Sequence, residues 1–203
     1  MDWYHLALFI HILGVLGLFM ALAVELAVMM GARSARTVEA VRAWSSASKP
    51  LDVVFPITSL LILGAGLVMT LDVWGWTQAW IDLSLACLIL LSVMGAALNG
   101  AHARRIAQRA AVLGQGPIPD DLRQELNHPA HWTSVISMAM LAVGIVFLMV
   151  EKPDWLGSII TLVVALLVGV ILAQVLVRSG KARVSSQEAG HTEEQISELS
   201  TRA

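Results

Sequence analysis

The chain has 203 residues, 57% of them apolar and only 14% charged, against about 25% charged in a soluble domain. Its mean hydropathy is +0.75, and the formal net charge of -2 conceals charges that are segregated along the chain. This composition excludes a water-soluble globule and offers no basic patch for nucleic acid. Cys87 is the single cysteine, which rules out an intrachain disulfide and a Cys-rich metal site.

Taken in chain order, the sequence predicts an all-α protein, a polytopic transmembrane bundle of five helices. A span needs roughly 20 mostly apolar residues, and the stretches 3–30, 51–71, 79–100, 130–150 and 155–177 qualify. The first is too long for a signal-peptide core and lacks a basic leader and a small-residue cleavage site, so it reads as a retained helix. A count of four would merge or discard one stretch, but the breaks are clear. Trp74-Gly75-Trp76 separates the second from the third, and Glu151-Lys152-Pro153-Asp154 the fourth from the fifth. The loop 31–50 is expected to be part helical. In the loop 101–129, Gly114 to Pro119 forms a turn-rich hinge. Asp120 or Asp121 is then placed to cap a short helix through Leu126. His128 is placed to cap the fourth span, with Pro129 at its first position. Residues 1–178 read as the bundle. Residues 179–203 read as a polar, Ser/Glu-rich cytoplasmic tail, expected to be disordered or to fold on a partner.

All but one of the 13 basic residues fall in the loops 31–50 and 101–129 or beyond the fifth span; the exception is Lys152. The positive-inside rule therefore predicts an external N-terminus and a cytoplasmic C-terminus. Trp3, Tyr4, Trp74, Trp76, Trp80 and Trp155 all fall on the predicted outer side, where amphipathic rings settle at headgroup level.

Ionisable residues inside the spans carry the functional signal, because charge at the bilayer centre is costly. In the first span His11, Gly14, Leu18, Ala21 and Glu25 recur at helical spacing on one stripe. Gly17 and Ala21 add a small-xxx-small pair for close helix approach. His11, about 12 Å along the helix at 1.5 Å per residue, has two readings. It is a haem-iron ligand, with Gly14 leaving room for a flat macrocycle, or an imidazole hydrogen-bonded to a neighbouring helix. Glu25 either pairs with His102, His131 or a loop arginine near the inner surface, or handles protons.

In the third span Gly95, Asn99 and His102 share a face. In the fourth, His131, Ser134 and Ser137 form a polar stripe. His128 and His131 stand three apart, and two histidines without a third ligand are weak evidence for a metal. The inner-surface histidines lie at a different depth from His11, so a haem on His11 would need another axial partner, such as Met138, or none. The 9 methionines are scattered and read as packing residues rather than a copper site.

Three segments together resemble a known superfamily. Phe9-Ile10-His11-Ile12-Leu13-Gly14 is similar to the first-helix histidine motif of the copper-resistance-protein-D-like superfamily. Trp80-Ile81-Asp82-Leu83-Ser84-Leu85 continues the likeness, as does Glu125-Leu126-Asn127-His128-Pro129 with the later Glu151-Lys152-Pro153. That superfamily includes the HemJ-type protoporphyrinogen oxidases and uncharacterised bacterial integral membrane proteins. The resemblance covers about residues 3–153, which makes the fifth helix an addition to a four-helix core. It implies a bacterial inner-membrane location and haem b on His11. The oxidases also need a lysine opening the third helix. Ser84 occupies that position and the helix has no lysine, which argues against oxidase activity and points to the uncharacterised branch.

Three functions remain at this level. The first is a haem-b-binding redox or haem-handling protein. The second is a non-enzymatic accessory or assembly protein without cofactor, with a protein partner at the loops or C-terminal tail. The third is a small transporter using Glu25 and His11. The transporter lacks an inverted repeat and a pair of broken midplane helices; Pro56 with Gly64 and Gly66 is the nearest approach.

Overall fold

The computed structural model describes the backbone of residues 3–201 and the side chains of residues 3–178. The expectation of a disordered tail at 179–203 lies outside the described side chains. The elements are α1 (Trp3–Ser34), α2 (Val38–Ala47), α3 (Leu51–Met69), α4 (Ala79–Met94), α5 (Ala101–Val112), α6 (Asp120–Leu126), α7 (Pro129–Glu151) and α8 (Trp155–Thr201). Two π-helical segments interrupt the α winding, Thr70–Trp74 after α3 and Gly95–Gly100 between α4 and α5. Five helices are long and apolar enough to cross a membrane, so the protein is an all-helical, multi-pass membrane bundle. The described residues form no strand, only an isolated bridge between Thr37 and Pro117.

Small residues set the tightest contacts. A Cβ on Gly14 would stand 2.9 Å from Ile62 Cγ1, and one on Gly17 2.7 Å from Thr58 Cγ2. α1 and α3 therefore meet almost backbone to backbone. α7 and α8 form the second close pair. There a Cβ on Gly144 would lie 2.9 Å from Ala165 Cβ, and one on Gly169 2.6 Å from Ser137 Cα. Small residues at such crossings let dispersion and backbone proximity do what the hydrophobic effect cannot do in lipid. α4 packs on α7, α8 and α3, and an apolar layer of Ile62, Leu88 and Ile145 fills the space between the helix pairs.

The basic end carries a cap of a different kind. α2, α5, α6 and the end of α1 bury Val38, Val41, Ile106, Ala110, Ile118, Leu122 and Leu126 against one another. Thr37 Oγ1 accepts the Ala40 N–H and so starts α2. The hinge is tied to that start: Val38 N–H donates to the Gly116 carbonyl, and Gly116 N–H donates to Glu39 Oε1. Arg42 donates to the Ala110 and Leu113 carbonyls, closing the end of α5. Arg33 at the foot of α1 donates to Asn127 Oδ1 at 2.8 Å and lies 4.9 Å from the Trp132 ring centroid. Its terminal nitrogens reach the Leu176 and Val177 carbonyls. One guanidinium thus joins α1, the α6–α7 link and α8.

The predicted spans and loop helices are present, with adjustments at their ends. α6 runs over the expected residues, but its N-cap is Pro119 with no side-chain cap. Neither Asp120 nor Asp121 caps it; Asp121 instead pairs with Arg109, at 3.4 Å. His128 takes the N-cap position of α7 with Pro129 opening the helix, and its side chain makes no capping bond.

Candidate functional site

The basic residues Arg33, Arg36, Arg42, Lys49, Arg104, Arg105, Arg109, Arg123 and Arg178 belong to the helix ends and loops at one end of the bundle. The tryptophans at positions 74, 76 and 80 belong to the other. A cavity of about 240 Å³ opens at this aromatic end. It is assembled from segments far apart in the chain: Tyr4 and His11 of α1, Ser84 of α4, Lys152 after α7, and Trp74 and Trp80 on either side of the α3–α4 turn. The first π segment brings Trp74 there. Thr70 Oγ1 donates to the Gly66 carbonyl, and the next turn widens so that Gly75 N–H donates to the Thr70 carbonyl at 2.7 Å. Gly75 then reverses the chain at φ +70°, a backbone region that suits glycine. Trp74 and Trp80 meet edge to face, with ring centroids 5.4 Å apart.

His11 is buried, and its Nδ1 lies 3.0 Å from the Ile62 carbonyl oxygen. A carbonyl only accepts, so Nδ1 holds the proton. In the neutral ring Nε2 then keeps a lone pair. The ring rests on Gly66, where a Cβ would approach Cε1 to 3.4 Å. Gly14 does not open onto the cavity; its space is taken by Ile62 and Leu61 of α3. Ser84 is 4% exposed, and its Oγ has no hydrogen-bond partner. An orphaned hydroxyl beside a cavity is a standing demand for a ligand or water. Lys152 holds its ammonium 4.2 Å from the Trp74 ring centroid and 5.8 Å from that of Trp80.

The other polar candidates gather near the basic end. Asn99, on the second π segment, donates from Nδ2 to Met138 Sδ at 3.1 Å, and Ser134 Oγ approaches the same sulfur at 3.7 Å. His102 stacks on His131 with centroids 4.2 Å apart, and its ring lies 6.2 Å from that of His128. Gly95, Asn99 and His102 therefore do share a face, and it is turned to α7. The expected stripe of α7 divides. His131 and Ser134 face this seam, whereas Ser137 lies against Gly169 of α8. Asn99 Oδ1, His102 Nε2 and Ser137 Oγ are buried without a partner. Among the described residues no three His, Cys, Asp or Glu side chains converge as a metal cage requires.

Two sequence expectations fail here. Met138 is engaged in this seam and does not line the His11 cavity; the methionines that do are Met69 and Met149. Glu25 is half-buried but makes no ion pair or hydrogen bond with His102, His131 or a loop arginine among the described residues. The nearby arginine, Arg33, is taken by Asn127, Trp132 and backbone carbonyls instead.

Sequence reasoning missed the part played by Lys152, Thr70 and the Trp74–Trp80 pair. The signal for Lys152 was its isolation, as the one basic residue among the aromatic-end positions.

No curated protein and no solved structure matches the chain. A family model described as "Predicted integral membrane protein (DUF2269)" matches residues 5–153, which takes in His11, Ser84 and Lys152 and stops before α8. On that match, the chain belongs to the DUF2269 family of predicted integral membrane proteins.

Proposed function

We propose that this protein binds a bilayer-soluble small molecule in the aromatic-end cavity, with His11 Nε2 and Ser84 Oγ as its polar contacts. The observation that carries the reading is the buried, partnerless Ser84 hydroxyl in the same cavity as an imidazole lone pair. A mostly apolar pocket with a few convergent polar groups is the usual form of a ligand site. The orientation that goes with it follows the charge: the basic end faces the cytoplasm, and the cavity lies toward the outer leaflet.

The test compares wild type with Ser84→Leu, which fills the cavity, after purification in mild detergent, organic extraction and mass spectrometry. The expected result is an apolar compound at about one per chain in the wild type and its loss from Ser84→Leu at unchanged helicity. Identical extracts from the two proteins would overturn the reading and return the protein to the accessory class.

Haem b on His11, the cofactor implied by the HemJ-type resemblance, is the second reading, and one observation favours it. A metal-bound imidazole usually donates its other ring N–H to a carbonyl or carboxylate, as His11 does to Ile62. Space weighs against it. The volume of about 240 Å³ is below the roughly 300–1,000 Å³ of pockets for drug-sized ligands, and α3 fills the room at Gly14. A macrocycle does not fit these walls, and no redox step is derived from it. A Soret band in oxidised and dithionite-reduced spectra, lost in His11→Ala, would reverse that preference.

A further inference from the structure

The cavity holds one full charge, and its placement restricts what can occupy the site. Lys152 is the C-cap of α7, and its N–H donates to the Leu148 carbonyl at 2.9 Å. It sits at φ 49°, and it is the one non-glycine residue with a positive φ among the described residues. Glycine is the usual occupant of this helix-ending position, and strained positions of this kind concentrate at ligand clamps and active sites. The strain places a long cationic side chain across the cavity mouth. Pro153 follows directly and fixes the chain as it leaves.

The ammonium is held by aromatic faces alone. Trp74 and Trp80 are its neighbours, and no carboxylate of the described residues pairs with it. The nearest acid after it in sequence is engaged elsewhere: Asp154 Oδ1 accepts the Gly157 N–H at 2.8 Å and caps α8. A cation over indole faces is attracted by the ring quadrupole yet keeps its three N–H donors. It is therefore stored near the membrane without an internal counter-ion. Below it lie the Ser84 hydroxyl and the His11 imidazole, and the remaining wall is apolar.

We infer that the cavity takes a single-chain amphiphile with an ionised carboxylate head, the head bound by Lys152 and Ser84 and the chain entering the apolar part beside His11. This rests on the ligand-binding reading above and adds the chemical class. The lysine ammonium and the serine hydroxyl both donate, which suits an acceptor-only head group, and charge-assisted bonds are the stronger kind. The cavity volume of about 240 Å³ favours one chain over the two chains and glycerol of a phospholipid. Trp74, Trp76 and Trp80 all line the cavity, so the site carries its own fluorescent reporters.

The experiment titrates the whole protein, in neutral dodecyl maltoside at mildly alkaline pH, with a terminally brominated medium-chain carboxylic acid and with the alcohol of the same chain. Bromine quenches tryptophan on contact. The acid is expected to half-quench at a concentration about tenfold below that of the alcohol. Lys152→Met removes this gap by weakening the acid alone, and Lys152→Arg retains it. Equal quenching by acid and alcohol in the wild type would overturn the carboxylate inference and leave the ligand cavity standing, as would a gap that survives in Lys152→Met. Quenching by neither would bring down the cavity reading itself. Displacement of the acid by phosphatidylglycerol but not by phosphatidylcholine would overturn the single-chain ligand in favour of a bilayer lipid.

Discussion

The membrane-crossing part and the cap at the basic end solve the same problem, holding helices together, in opposite ways. Between α1 and α3, and between α7 and α8, the closest contacts are at Gly14, Gly17, Gly144 and Gly169. Large apolar side chains there, such as Leu16, Leu60 and Ile171, point outward. In the cap the large side chains are inside: Val41 is 0% exposed and Leu122 1%. The difference follows from the surrounding medium. In lipid a leucine gains nothing by moving from tails to a neighbouring helix. Near water, removing its surface is worth about 25 cal/mol per Å². Glycine therefore carries stability in one region and leucine in the other.

Three measurements break or sharpen that contrast. The largest effect is expected from Leu122→Ala, about 2–5 kcal/mol for a fully buried leucine. Lost cap packing should show as rapid proteolysis within the 101–129 loop while the spans stay protected. Slow, unchanged cleavage would mean that the cap is not held by its apolar core. Next comes a glycine pair. Gly169→Ala drives a methyl group against the backbone of Ser137 and should cost about 1–3 kcal/mol as overpacking, read as a lower thermal midpoint in detergent. Gly64→Ala meets nothing within 4 Å and should raise the midpoint slightly, by up to about 1 kcal/mol of helix preference. Equal shifts for the two would sink the close-approach account. The smallest effect belongs to Arg104→Ala. Its ion pair with Asp52 spans 3.7 Å with both side chains more than half exposed, and such pairs contribute about 0–1 kcal/mol. A larger loss, persisting in high salt, would show that surface charge organises the cap more than its apolar core does.

The contrast also separates what was legible in the sequence from what was not. Apolar runs of about 20 residues announce spans without tertiary knowledge, so the five helices and their breaks could be read directly. α2 and α6 were also readable, because an amphipathic pattern between turn residues needs no partner to declare itself. Side-chain pairing was less readable. Periodicity gave the face of α1 that bears His11, Gly14 and Ala21, and all three are buried. It could not say that Gly14 would be filled by Ile62, or that Glu25 would go without an arginine. The cavity was hardest of all. Ser84 and Lys152 lie on different helices, and their approach depends on a π turn and a positive-φ lysine that leave no periodic trace. The departure of Ser84 from the HemJ-type lysine position was visible, but not that another lysine lines the same cavity from the end of α7.

The segment Gly95–Gly100 has a consequence of its own. A π turn holds one residue more than the α turn it replaces, so it acts as a phase shifter between α4, which lies among lipid tails, and α5, which closes the cap. Deleting one residue there, such as Ala96, would let the helix rewind as α and rotate all that follows by about 100°. Ile106 and Ala110 would leave the cap core, and His102 would lose its stacking on His131. The number of residues in this short stretch, more than their identity, decides which medium each face of α5 meets.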